Sequence, residues 1–132
     1  MTTPSYNLTA STSPAPSRDP LRAAVAAYLS RFKALSRMHA ESDLRAFLEW
    51  CAERRLDPLS ASRPQVEVYV RWMQEVRRFK PSTTSRRMSI VAGFYRTAVV
   101  DGLLEQSPAE HVRRPPVPAE SPTLGGQRQE GV

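Results

Sequence analysis

A chain of 132 residues with net charge +6 and an isoelectric point near 10.2 holds one domain of ordinary size and favours a polyanionic partner. Its single cysteine excludes an internal disulfide and a thiolate metal cluster, and no apolar run approaches the roughly 20 residues of a membrane span. The amino terminus lacks the basic and apolar regions of a secretory signal, so a cytoplasmic protein is expected.

Residues 1–18 are mostly Ser, Thr, Pro and Ala, too poor in large apolar groups to offset ordering entropy, and are expected to be a disordered tail. Asp19 and Pro20 then supply an N-cap and a proline for the first helical position. Leu21, Ala24, Val25, Tyr28, Leu29, Phe32 and Leu35 recur at helical spacing, which predicts an amphipathic helix to about Leu35. Ser36 to His39 reads as a weak joint. A second helix is expected from about Ala40 to Leu56, with Leu44, Phe47, Leu48 and Cys51 inward, Trp50 to one side and Asp57-Pro58 as its stop. On that apolar face Cys51 reads as a buried thiol.

Ser62 and Gln65 form a capping-box pattern with Pro64 in the first turn. The third helix is expected to run to about Phe79 on a stripe of Val66, Tyr69, Val70, Met73 and Val76, with Trp72 adjacent. Its end is basic, through Arg77, Arg78 and Lys80, and cations there also suit a helix C-terminus. After the Lys80-Pro81 joint a fourth helix extends to Asp101-Gly102, where glycine can close it in the left-handed conformation. That helix has two different ends. Ser82, Thr83, Thr84, Ser85, Arg86 and Arg87 are polar and basic, whereas Met88, Ile90, Val91, Phe94, Tyr95, Ala98, Val99 and the following Leu103 are apolar on several sides. One end suits a core and the other a DNA surface; the same pattern also fits a bundle helix with a solvated tip. Ser107 to Glu110 is a second capping pattern, predicting a short helix from Pro108 to Val112, and residues 114–132 read as a Pro-rich linker or tail. The expected fold is all-α: four main helices plus a short C-terminal helix, in one domain over residues 19–113.

The charge is localised. Residues 61–100 carry eight Lys/Arg against two acids, a net +6, while residues 1–60 stand at +2 and residues 101–132 at −2. A basic segment around one helix points to nucleic acid, although an Arg-rich soluble surface has the same totals. Arg86 and Arg87 diverge by about 100° on a helix, so one can meet a groove and the other a backbone. Ser82, Thr84 and Ser85 are short enough to approach phosphates, and Arg77, Arg78 and Lys80 suit a flanking strand. Ser42 and Arg45, with Arg37 and His39, are weaker candidates on the second helix. Tyr28, Tyr69 and Tyr95 lie on apolar stripes and read as core or rim residues. No catalytic, cofactor or metal-ligating constellation stands out.

The ordered set Ser42-Asp43-Leu44 with Phe47 and Trp50-Cys51, then Pro81 to Arg87 with Ile90 to Tyr95, then Asp101-Gly102 through Ser107-Pro108-Ala109 before a Pro-rich linker, resembles the N-terminal core-binding domain of tyrosine recombinases, the phage-integrase family. The resemblance covers about residues 20–118 and implies a SAM-like helical bundle forming half of a clamp on double-stranded DNA, with the second and fourth helices near the major groove. Two departures are visible. Ser36 to Ala40 replaces the Thr and aromatic expected at the start of the second helix, and the catalytic Arg, Lys, His and tyrosine have no counterparts. His111 to Arg114 has H-x-x-R spacing but sits at the end of the binding domain, outside the catalytic context, where Arg113 and Arg114 suit phosphate contacts from a linker. The resemblance therefore implies a non-catalytic DNA-binding module, expected to be a truncated integrase, with double-stranded DNA and other recombinase protomers as partners and neither a membrane nor a small-molecule substrate. The alternative is a helical protein–protein interaction module using Trp50 and Trp72. A generic helix-turn-helix regulator fits less well, because the chain lacks a short turn between two short helices.

Overall fold

A computed structural model describes residues 19–115; the expected N-terminal tail at 1–18 and the linker beyond residue 115 lie outside the described residues. Four α-helices follow in order: α1 Pro20–Leu29, α2 Ala34–Glu53, α3 Arg63–Glu75 and α4 Pro81–Val100, with a 3-10 turn at Pro58–Ser60 between α2 and α3. No strand occurs among the described residues. The fold is an all-α bundle, and within it α4 packs against each of the other three helices.

Several boundaries follow from local chemistry. Asp19 Oδ1 accepts from the Arg22 N–H at 2.9 Å and starts α1. Both halves of the Ser62/Gln65 capping box form at α3. Gly102, at φ +81°, ends α4, with the Leu103 N–H returning to the Ala98 carbonyl at 2.9 Å. The same closure ends α2, but there the left-handed residue is Arg55, at φ +55°. Its neighbour Leu56 donates to the Cys51 carbonyl at 2.9 Å.

Four expectations are corrected. The joint between α1 and α2 falls at residues 30–33, not 36–39, so α1 stops at Leu29 and α2 begins at Ala34. The last turn of α1 tightens into three-residue bonds from Arg31 to Tyr28 and from Phe32 to Leu29, and the Ser30 hydroxyl donates to the Ala27 carbonyl. Phe32 then folds edge-on against Tyr28 at 5.1 Å, leaving Leu35 exposed on the first turn of α2 rather than buried on α1. Secondly, α3 ends at Glu75 rather than Phe79, and Val76 is exposed. Arg78 is left-handed there, at φ +55°, and the Phe79 N–H reaches back to the Met73 carbonyl at 3.0 Å. Thirdly, Leu103, expected among the apolar residues at the core end of α4, is exposed. Lastly, the short C-terminal helix is instead a pair of turns. Ser107 Oγ accepts from the Ala109 N–H at 3.0 Å, and single bonds link Glu110 to Ser107 and Val112 to Ala109. Five residues before Arg113-Arg114-Pro115 provide too few bonds to repay helix nucleation.

The core is aromatic. Phe47 on α2 lies 4.9 Å from Tyr69 on α3 and 6.0 Å from Tyr95 on α4, ring centre to ring centre. Trp50 is buried with them and packs against its neighbour Tyr69, 5.0 Å away. The Tyr95 hydroxyl donates to the Pro58 carbonyl at 2.6 Å, which ties the centre of the bundle to the 3-10 turn. Gly93 admits Tyr28: a Cβ there would lie 2.8 Å from the Tyr28 hydroxyl, so α1 and α4 approach closely only because the side chain is absent. Cys51 is fully buried, and desolvation pushes its thiol up to about 12.

Candidate nucleic-acid interface

The N-terminal turns of α4 meet the middle of α2 through one carboxylate. Asp43 shares the inner face of α2 with Ala40, Leu44 and Phe47 and is 4% exposed. Arg86 Nη1 donates to its Oδ2 at 2.7 Å, and Arg87 Nε lies 3.9 Å from its Oδ1. The two arginines diverge as the helical angle requires, and the consequences differ. The Arg86 side chain is 53% exposed, so Asp43 holds its fork at the surface. The Arg87 side chain is 24% exposed, and its guanidinium covers the Phe79 ring at 4.8 Å. Arg87 also neighbours the Tyr69 hydroxyl. Desolvation pushes that phenol up to about 12, against the opposing pull of Arg87.

Beside this pair runs a ladder of cations and rings. Arg54 sits 4.5 Å from Trp50 and 5.6 Å from Trp72, and donates to the Trp50 carbonyl at 3.0 Å. Arg77 lies 5.7 Å from Trp72 and 5.2 Å from Phe79. Each contact contributes about 0.5–1 kcal/mol at an exposed site. Arg77 and Arg87 therefore help hold the fold as well as carrying charge.

The other candidates separate clearly. Lys80, Ser82, Arg77 and Arg78 are exposed at the junction of α3 and α4, and Ser85 is half-buried there. Thr84 is a correction: it is fully buried, on the same stripe as Met88, Val91 and Tyr95, so its hydroxyl is not part of the exposed face. On α2, Ser42 is exposed, whereas Arg45 is drawn toward Glu41 at 2.8 Å. Two residues outside the sequence-based set belong to this region. Asp43 is marked in the sequence as an acid standing on an apolar stripe and as part of the Ser42-Asp43-Leu44 run, with no sign of its arginine partners. Ser89, one turn after Arg86, accepts from Arg114 Nη1 at 2.6 Å, a contact with no local sequence signal.

The starts of the helices differ as well. Asp19 and Ser62 cap α1 and α3 with side-chain oxygens, while α2 and α4 have lysines, Lys33 and Lys80, at the N-cap and no side-chain cap bond. The first N–H groups of α2 and α4 thus depend on partners other than a capping side chain.

The tyrosines are held as neutral phenols. Burial raises Tyr28, Tyr69 and Tyr95 above the ordinary phenol range, Tyr95 most strongly. Among the described residues no three His, Cys, Asp or Glu side chains are grouped as metal ligands, and no helix is long and apolar enough to cross a membrane. Comparison with protein-family models, with curated proteins and with solved structures gave no match.

Proposed function

We propose that the chain is a cytoplasmic, non-catalytic module that binds double-stranded DNA, equivalent to the SAM-like core-binding half of a tyrosine recombinase. The observation that carries this reading is Arg86. A buried carboxylate 2.7 Å away orients its guanidinium, yet half of the side chain stays open to solvent. Lys80, Ser82, Arg77 and Arg78 are exposed around the same helix start. An oriented fork suits a base edge or a phosphate, and the surrounding cations suit a backbone. Lys80 at the N-cap opposes the helix dipole, so its place there serves stability poorly and an anionic partner well. Tyr69 and Tyr95 are fully buried in the core and so are not presented to a DNA strand.

The test is fluorescence anisotropy with random and attachment-site duplexes at several salt concentrations. Arg86→Ala is expected to weaken binding and to lower the salt slope by about one for each lost phosphate contact. Arg86→Ala binding like the parent at every salt concentration rejects the assignment.

A protein–protein module is the second reading, and the exposed Leu35 and Met38 on the first turns of α2 favour it. Trp50, invoked for that role by the sequence, is buried and belongs to the core. Concentration-dependent self-association without DNA affinity is the result that selects this alternative.

A further inference from the structure

The segment after α4 turns back along the bundle. Ala109 and Val112 bury their side chains in the core, and Arg114 reaches Ser89 on α4. This strap faces α3 across a groove of about 400 Å³. Arg63 and Arg71 from α3 and His111, Arg113 and Arg114 from the strap line it, with Glu67 as the acid on its wall. Glu67 lies 4.0 Å from Arg63 and is thereby partly neutralised. Among the described residues no carboxylate forms an ion pair with Arg71, Arg113 or Arg114. Three arginines thus line the groove without a carboxylate partner.

We infer that this groove is a second phosphate-binding site, composed jointly by α3 and the strap, which takes a sugar–phosphate backbone of nucleic acid. Guanidinium groups match phosphate oxygens in geometry and charge. The Arg114–Ser89 bond sets the groove beside α4, one helical turn beyond Arg86, so the cationic surface continues from the helix start onto the strap. Because the anion contacts both walls, its binding stabilises the docked strap. The identity of the anion rests on the DNA-binding reading; the groove itself does not involve Arg86.

The experiment uses the full chain and a short random-sequence duplex, followed through the Nε–Hε resonances of the arginines. Arg71 and Arg113 are expected to shift together with Arg86 as duplex is added. In parallel, Arg71→Gln with Arg113→Gln is expected to lower the salt slope by about two, equally for every sequence, with the parent's melting temperature retained because both side chains are exposed. Shifts confined to Arg86, with an unchanged slope in the double variant, overturn the groove and leave the α4 face standing. Shifts at Arg71 and Arg113 with Arg86 silent support the groove and overturn the α4 reading. Silence at all three positions overturns both.

Discussion

Helices α3 and α4 are adjacent in sequence and packed in space, yet they begin in opposite ways. Ser62 and Gln65 close a reciprocal capping box at α3, so its first donors are satisfied within the chain. Lys80 stands at the N-cap of α4 with no capping bond, and the turns that follow carry Ser82, Ser85, Arg86 and Arg87. The difference teaches that α3 is secured by local chemistry at its start, whereas α4 is secured by its buried length and by Asp43 across the interface. A helix held from its centre can leave its tip cationic and uncapped, the arrangement an anion-binding surface needs.

That contrast is tested most severely at Asp43. Asp43→Ala leaves Arg87 partly buried without a counterion and frees the Arg86 fork. A loss of about 2–4 kcal/mol is expected, below the fully buried range because Arg86 is half exposed. Urea denaturation measures it, and parent-like stability removes the claim that α4 is anchored through this carboxylate. Binding to duplex is expected to weaken in the same variant, since Arg86 loses its orientation.

The two helix starts are next compared directly. Ser62→Ala is expected to destabilise by about 1 kcal/mol through loss of the cap. Lys80→Ser, which supplies a cap and removes a charge opposed to the dipole, is expected to stabilise by about 0.5–1 kcal/mol while weakening DNA binding. Thermal melts paired with anisotropy read both quantities. Loss of stability in Lys80→Ser ends the contrast between the two starts.

The smallest effects belong to the left-handed arginines. Arg55 and Arg78 occupy positions where glycine carries no steric penalty, so Arg55→Gly and Arg78→Gly should each stabilise by roughly 0.5–1 kcal/mol. Arg78→Gly alone is expected to reduce duplex affinity, because Arg78 stands two residues before Lys80 at the start of α4, whereas Arg55 follows the end of α2. Equal loss of affinity in both variants extends the binding surface to the end of α2.

Where a structural signal is contained in one turn, it is readable from the sequence. The caps at Asp19 and Ser62, the joint at Lys80-Pro81 and the glycine closure at Gly102 each involve neighbours a few residues apart. Thr84 is readable too: its spacing to Met88, Val91 and Tyr95 places it on the buried stripe, and only its hydroxyl draws it toward the surface set. The joint between α1 and α2 is masked because Leu35 continues the apolar spacing of α1. Its exposure follows from the tight turn in which Phe32 folds onto Tyr28. In the candidate site, the cations at 77–87 can be named from the sequence, but which of them point outward cannot. Arg86 and Arg87 are the same residue type with the same neighbours, and a ring from Phe79 and a carboxylate from Asp43 separate their roles.

By itself, then, the sequence determined four helices, their order, the aromatic stripes that form the core, and the concentration of positive charge around the start of α4. Capping, periodicity and composition act over one or two turns and need no knowledge of the rest of the chain. The tertiary structure decided what those charges face. Arg86 meets Asp43 across 43 positions, Tyr95 meets Pro58 across 37, and Arg114 meets Ser89 across 25. Contacts at such separations form when packed helices bring distant side chains together, and helical periodicity carries no information about a partner on another helix.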